Sequence, residues 1–157
     1  MVSSNSTSRL SRIKRSIILT QTDTTVGFIS QNERALREIK SRHSNKPFIK
    51  VFQNFKTLKE TNLRIPKEHR RYLRRAKKTT FIVKNQAIRI APYPLDSAVL
   101  RKLLWSYSTS ANESSKSYER DFCEQKADII VEGKEALFEG KASKLYKINH
   151  TKIKRLR

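Results

Sequence analysis

The sequence predicts an α/β fold, a single domain built on one twisted mixed sheet, parallel and antiparallel, with flanking helices. Three observations lead there. The chain has 157 residues, the size of one domain. Short strand patterns and helical patterns are mixed without regular βαβ alternation, which selects a mixed sheet. Hydrophobic residues make up only 36%, yet they include 7 Phe and 5 Tyr alongside many Ile and Leu, enough for a core without disulfide or metal support.

The elements follow in order. Residues 1–15 read as a basic arm, residues 16–148 as the domain and residues 149–157 as a basic tail. The arm is Ser- and Arg-rich and free of acids, a composition shared with transit peptides; a solvated arm leading into the first strand accounts for it better. An apolar run at 16–20 predicts that strand. Residues 33–42 carry helical periodicity, and 48–53 a second strand. Residues 67–78 form a basic helix that Pro66 starts, with Tyr72, Leu73 and Ala76 on one side. Residues 79–83 and 87–91 pair as a hairpin across a short link. Asp96 or Ser97 caps a helix carrying Val99, Leu100, Leu103 and Leu104. A polar turn and short helix cover 113–125, and late strands lie at 128–131 and 143–148.

Charge is the outlier. Lys and Arg number 35 against 14 Asp and Glu, a net charge of +21 where about 2–8 suffices for solubility. The cations cluster at residues 9–15, 64–78 and 141–157, where acids are almost absent. Such runs favour a polyanionic partner, RNA above all, held through phosphates, since no aromatic RNA motif, GxxG loop or zinc knuckle is present. One cysteine, Cys123, excludes an intrachain disulfide and a cysteine zinc cluster. The three histidines show no ligand spacing, so no metal site is expected. No apolar run approaches the ~20 residues of a membrane span, and a reducing cytoplasmic setting is the default expectation.

Three segments combine hydroxyls with cations. Thr22-Asp23-Thr24-Thr25-Val26-Gly27-Phe28 follows the first strand, where hydroxyls and a glycine bring amides near an anion. Lys40-Ser41-Arg42 precedes Lys46-Pro47 and joins a point charge to a planar fork. Ser108-Thr109-Ser110-Ala111-Asn112 offers successive hydroxyls and an amide at a strand-to-helix junction. Singly, these fit a polar turn, a cation-capped helix end and an ordinary loop. No Walker loop is present, and 3 glycines leave no room for one.

In this order the segments resemble the YrdC-type threonylcarbamoyl-AMP synthase family, also called the TsaC family, over residues 17–148. The resemblance adds Ile88-Arg89-Ile90, Ala127-Asp128-Ile129-Ile130 and Ala142-Ser143-Lys144. It implies a YrdC-like fold with a concave, positive surface. It also implies an enzyme, a nucleotidyltransferase that joins L-threonine, bicarbonate and ATP into threonylcarbamoyl-AMP, releasing pyrophosphate, for threonylcarbamoyladenosine in tRNA. Magnesium would arrive with the ATP. By the matched motifs, Lys40 and Arg42 would hold carboxylate and phosphates as the catalytic pair. Ser108, Ser110 and Asn112 would face the nucleotide, and Thr24 the threonine; Thr80, Arg89 and Ser143 are further binding candidates. A tRNA threonylcarbamoyl transferase complex is the implied partner for the labile adenylate.

Val26 replaces the family's aromatic, His43 its proline, and residues 75–80 contain none of its Pro-Gly-Pro; Glu113-Ser114-Ser115 replaces Ser-Gly. Two other readings therefore stand beside the synthase. One is a non-catalytic or repurposed RNA-binding protein on this fold, and the other a relative that transfers a different acyl group.

Overall fold

A nine-stranded mixed sheet organises the described residues, in the order β7-β1-β2-β6-β3-β5-β4-β8-β9. The computed structural model describes residues 4–40, 47–91, 97–113 and 116–157. Its first half comprises α1 (Ser4–Arg15), β1 (Ile18–Gln21), β2 (Val26–Ser30), α2 (Glu33–Lys40), β3 (Ile49–Phe52), α3 (Phe55–Lys59) and α4 (Lys67–Arg75). The hairpin β4 (Thr79–Val83) and β5 (Gln86–Ile90) follows, then a 3-10 turn (Leu100–Lys102) and β6 (Trp105–Ser110). The chain continues through α5 (Arg120–Lys126), β7 (Ile129–Val131), β8 (Lys144–Ile148) and β9 (Ile153–Arg155). The α/β class and the mixed sheet are as the sequence predicts: β1–β7, β3–β5 and β4–β8 pair in parallel, the rest antiparallel.

Strand alternation divides the apolar side chains between two faces. Leu19 and Phe28 pack with Leu36 of α2 and Cys123 of α5. Phe52, Phe81 and Ile88 pack with Leu58 of α3 and Leu73 of α4. These four helices therefore cover one face. On the other, Ile18, Ile29 and Val51 meet Leu100 and Leu103, with Ile13 of α1 alongside. What this second face leaves uncovered becomes the cleft.

Several expectations are corrected. Residues 4–15 form α1 rather than a solvated arm, and Ile13 anchors it. The basic helix stops at Arg75, because Ala76 is extended and Lys78 turns the chain at φ 51° into β4. The helix expected after residue 97 is only the 3-10 turn, although Ser97 Oγ does accept the Leu100 amide at 3.1 Å; Asp96 lies outside the described residues. Residues 108–110 end a strand, and the next helix starts only at Arg120. The tail supplies β9, antiparallel to β8. Among the described residues no helix is long and apolar enough to cross a membrane.

Candidate active site

The cleft is built around Arg89, which β5 carries beside Val51 of β3 on the uncovered face. Its side chain is almost entirely buried, so its charge needs partners. Nε and Nη2 donate to Thr80 Oγ1 at 3.1 and 3.0 Å. Nη1 donates to Asp23 Oδ1 and Thr24 Oγ1, each at 2.9 Å. Thr80 Oγ1 in turn lies 2.8 Å from Ser143 Oγ, extending the network to the residue before β8. One guanidinium on β5 is thus tied to β4 and one turn, and through Thr80 to the segment leading into β8.

That turn, residues 22–25, is closed locally and held from outside. Thr22 Oγ1 donates to the Thr25 carbonyl at 2.6 Å, an arrangement typical of a hydroxyl turn. The Gly140 amide donates to Thr25 Oγ1 at 3.0 Å, and the Val26 amide to the Phe138 carbonyl at 3.0 Å. Gly140 is required here by proximity: a Cβ on it would stand 2.0 Å from the Thr24 carbonyl oxygen.

A second anchor sits at the end of β6. Lys40, the last residue of α2, is buried to 5% exposure. Its Nζ donates to the Ser110 carbonyl at 3.1 Å and to the carbonyl and Oδ1 of Asn112 at 2.5 and 2.7 Å. Ser110 Oγ donates to the same Oδ1 at 2.8 Å. The sequence of β6 explains its placement: small hydroxyl residues let Ser108 and Ser110 face the cleft where β2 and β3 flank them.

The resulting cleft has a volume of about 260 Å³ and is lined by Thr24, Arg89, Ser108, Ser110, Ser143 and Arg157, with Gly27 and Ile49 among its other walls. Arg157 Nε donates to the Ser143 carbonyl at 3.2 Å, so two guanidiniums frame one side. Hydroxyls and cations around so small a volume suit a carboxylate or phosphate bearing hydrogen-bonding groups. Among the described residues no cluster of His, Cys, Asp and Glu is arranged to hold a metal ion.

Of the residues singled out from sequence, Thr24, Arg89, Ser108, Ser110 and Ser143 line this one cleft, and Thr80 braces it. Lys40 and Asn112 meet behind the β6 end. Arg42 and Lys46 lie outside the described residues. Sequence reasoning did not single out Asp23, although it stood in the quoted motif, nor Arg157, which only the β8–β9 pairing brings near Ser143.

A family model for the Sua5/YciO/YrdC domain, described as telomere recombination, matches residues 13–157. No curated protein sequence matches the chain. Among solved structures, a double variant of P. abyssi Sua5 aligns with TM-score 0.77 at 17% identity, over 95% of this chain and 54% of that one. P. abyssi Sua5 complexed with L-threonine aligns at TM-score 0.70 and 19% identity, over 90% and 50%. The chain thus spans about half the length of Sua5. E. coli YciO aligns at TM-score 0.73 and 16% identity over 96% of this chain and 86% of its own. Full-length HypF, in its phosphate- and nucleotide-bound form, aligns at TM-score 0.73 and 13% identity, over 98% and 28%. At these identities the neighbours establish the fold, and the family match covers nearly the whole chain: it belongs to the Sua5/YciO/YrdC family.

Proposed function

We propose that this chain is a threonylcarbamoyl-AMP synthase serving tRNA modification. The observation that carries the reading is the Arg89 network, which ties Asp23, Thr24, Thr80 and Ser143 together around a small cationic cleft. The L-threonine held by a Sua5 of the same fold supports it. In this reading the threonine amine attacks the bicarbonate carbon, a C–O bond breaks with loss of water, and a carbamate results. A carbamate oxygen attacks the α-phosphorus of ATP, the bond to the β-phosphate breaks, and pyrophosphate leaves. Thr24 and Arg89 orient threonine and its carboxylate, Ser108 and Ser110 meet the nucleotide phosphate, and Arg42 with Arg157 offsets charge. Mg²⁺ enters bound to the nucleotide. Catalysis then consists of positioning and charge stabilisation without a covalent nucleophile. The product passes to a tRNA threonylcarbamoyl transferase complex.

Pyrophosphate release from ATP and bicarbonate, with and without L-threonine, tests the reading. Threonine-dependent release that Arg89→Met reduces at least tenfold supports it; release indifferent to threonine, or none, overturns it. The uncompensated basic runs favour a second reading, an RNA-binding family member without this chemistry. Salt-sensitive tRNA binding with no threonine-dependent release would identify that case.

A further inference from the structure

Two basic runs far apart in sequence converge at one end of the sheet. Residues 64–78 hold eight cations and one acid, Glu68; residues 141–157 hold seven cations and none. They meet because β8 pairs with β4 while α4 packs over the same strands. Tyr72 of α4 sits edge-on to Phe81 of β4 and Tyr146 of β8, at 5.7 and 6.0 Å between ring centres. Arg155 of β9 stands opposite Tyr146 in the β8–β9 register.

These cations are not balanced by acids among the described residues. Six ion pairs occur among the described residues, and none involves residues 64–78 or 141–157. In α4, Arg70 and Arg74, and Arg71 and Arg75, stand four residues apart, where like charges destabilise a helix. The acids lie elsewhere: residues 113–139, which include α5 and the opposite edge strand β7, hold eight acids against four cations. The β8–β9 edge of the sheet is therefore uniformly basic, whereas at the β7 edge these acids are offset by Arg9, Arg12 and Arg15 of α1, which lie beside Asp128 and Ile129.

Aromatic surface is interleaved with the basic end. Tyr72 is 43% exposed, and the Arg74 guanidinium stacks over Phe55 at 4.4 Å. Cations for phosphates beside an exposed ring for a base are the parts a nucleic-acid surface uses. α4 lies on the helical face, whereas Arg89 and Ser108 open on the opposite one.

We propose that α4, with Lys144 of β8 and Arg155 of β9, which share its face of the sheet, forms an RNA-binding surface, on the other face from the cleft, that takes the phosphate backbone. The choice of RNA among polyanions rests on the synthase reading. Docking there leaves the cleft mouth open, so RNA binding and adenylate synthesis are separable by mutation.

The test uses the full chain, a labelled unmodified tRNA transcript and anisotropy titrations from 50 to 200 mM KCl. The variant is Arg71→Gln with Arg75→Gln and Lys144→Gln, three exposed residues outside the cleft. Removing three phosphate contacts is expected to lower the slope of log affinity against log salt by about 2–3 and to weaken binding at 100 mM at least tenfold. Threonine-dependent pyrophosphate release and the thermal midpoint are expected to stay as in the parent. Unchanged slope and affinity in the variant overturn the surface, as does failure of the parent to bind tRNA at 100 mM KCl. An equal loss in Arg9→Gln with Arg12→Gln on α1 moves the interface to the other end and also overturns it. Equal affinity for a DNA duplex of similar length overturns the assignment to RNA. Pyrophosphate release is measured on the same samples, so failure of the synthase reading is seen independently of failure of the RNA surface.

Discussion

Nζ of Lys40 lies 2.7 Å from Oδ1 of Asn112 and 2.5 Å from the carbonyl oxygen of the same residue. With the Ser110 carbonyl at 3.1 Å, the ammonium fixes the path of the chain as it leaves β6. This places Lys40 as the support of the Ser110 side of the cleft. Charged hydrogen bonds of this kind are worth about 1.5–3 kcal/mol each in isolation, and they overlap here. Lys40→Met is expected to cost about 2–3 kcal/mol in urea unfolding. Lys40→Arg is expected to recover less than half, because a planar fork does not match three oxygens converging on one point. A loss below about 0.5 kcal/mol would contradict the support role.

The two tight glycines should rank in a fixed order. A Cβ at Gly140 meets the Thr24 carbonyl oxygen at 2.0 Å; at Gly27 it meets the Thr109 carbonyl oxygen at 2.9 Å. Both neighbours are backbone and cannot swing aside. Gly27→Ala should cost about 1–2 kcal/mol and Gly140→Ala about 2–3 kcal/mol or more by chemical denaturation. The reverse order would mean that the 137–143 segment yields more readily than the sheet.

Cys123 gives a pH signature. Burial pushes its thiol above the ordinary value of 9.0, against the opposing pull of its backbone hydrogen bond with Glu119 and the Lys40 charge. Above pH 9 the unfolded chain loses this proton while the folded chain keeps it. The folded state then binds more protons, and stability falls as pH rises toward the folded-state value. Cys123→Ala should remove that part of the decline above pH 9 in thermal melts. Native protein at pH 8 should react with a maleimide only as fast as it opens, so labelling should accelerate in step with added urea.

Left-handed backbone at side-chain-bearing residues offers stabilising changes. Lys78 has φ 51°, and Lys84 and Asn85 have φ 48° and 65° in the turn that joins β4 to β5. Consecutive left-handed residues form the type I′ turn that prefers Asn-Gly. Asn85→Gly and Lys78→Gly should each raise stability by about 0.5–1 kcal/mol. Melting midpoints that fall for either variant would show that its side chain makes a compensating contact.

How much was legible depended on where the apolar residues sit. β1, β4 and β7 carry short apolar runs and β3, β5 and β8 a partial alternation, and each lies within a few residues of where the sequence puts it. β6 escaped because Trp-Ser-Tyr-Ser-Thr-Ser offers hydroxyls to the cleft instead of an apolar face. β2 was hidden inside a motif read as a turn, and β9 inside a basic run whose Ile153 is its one obvious strand signal. α1 consists mostly of Ser and Arg, and its docking through Ile13 is a tertiary effect. In the site, the cleft's hydroxyls and Arg89 stood in recognisable motifs. Arg157 did not, since its approach to Ser143 depends on strand pairing rather than on any local pattern.

The parallel pairings set the order in which the molecule can be assembled. Ile18 pairs with Ile129, and Thr79 with Lys144, so both ends of the sheet close only when residues 129–148 arrive. The turn bearing Thr24 is clasped by Phe138 and Gly140 from the same late region. Closing such long loops is entropically expensive and slows folding toward the millisecond-to-second range. During synthesis the ribosome therefore holds a chain with open strand edges at β1 and β4. That interval is when chaperone protection matters most and when truncation would be most damaging.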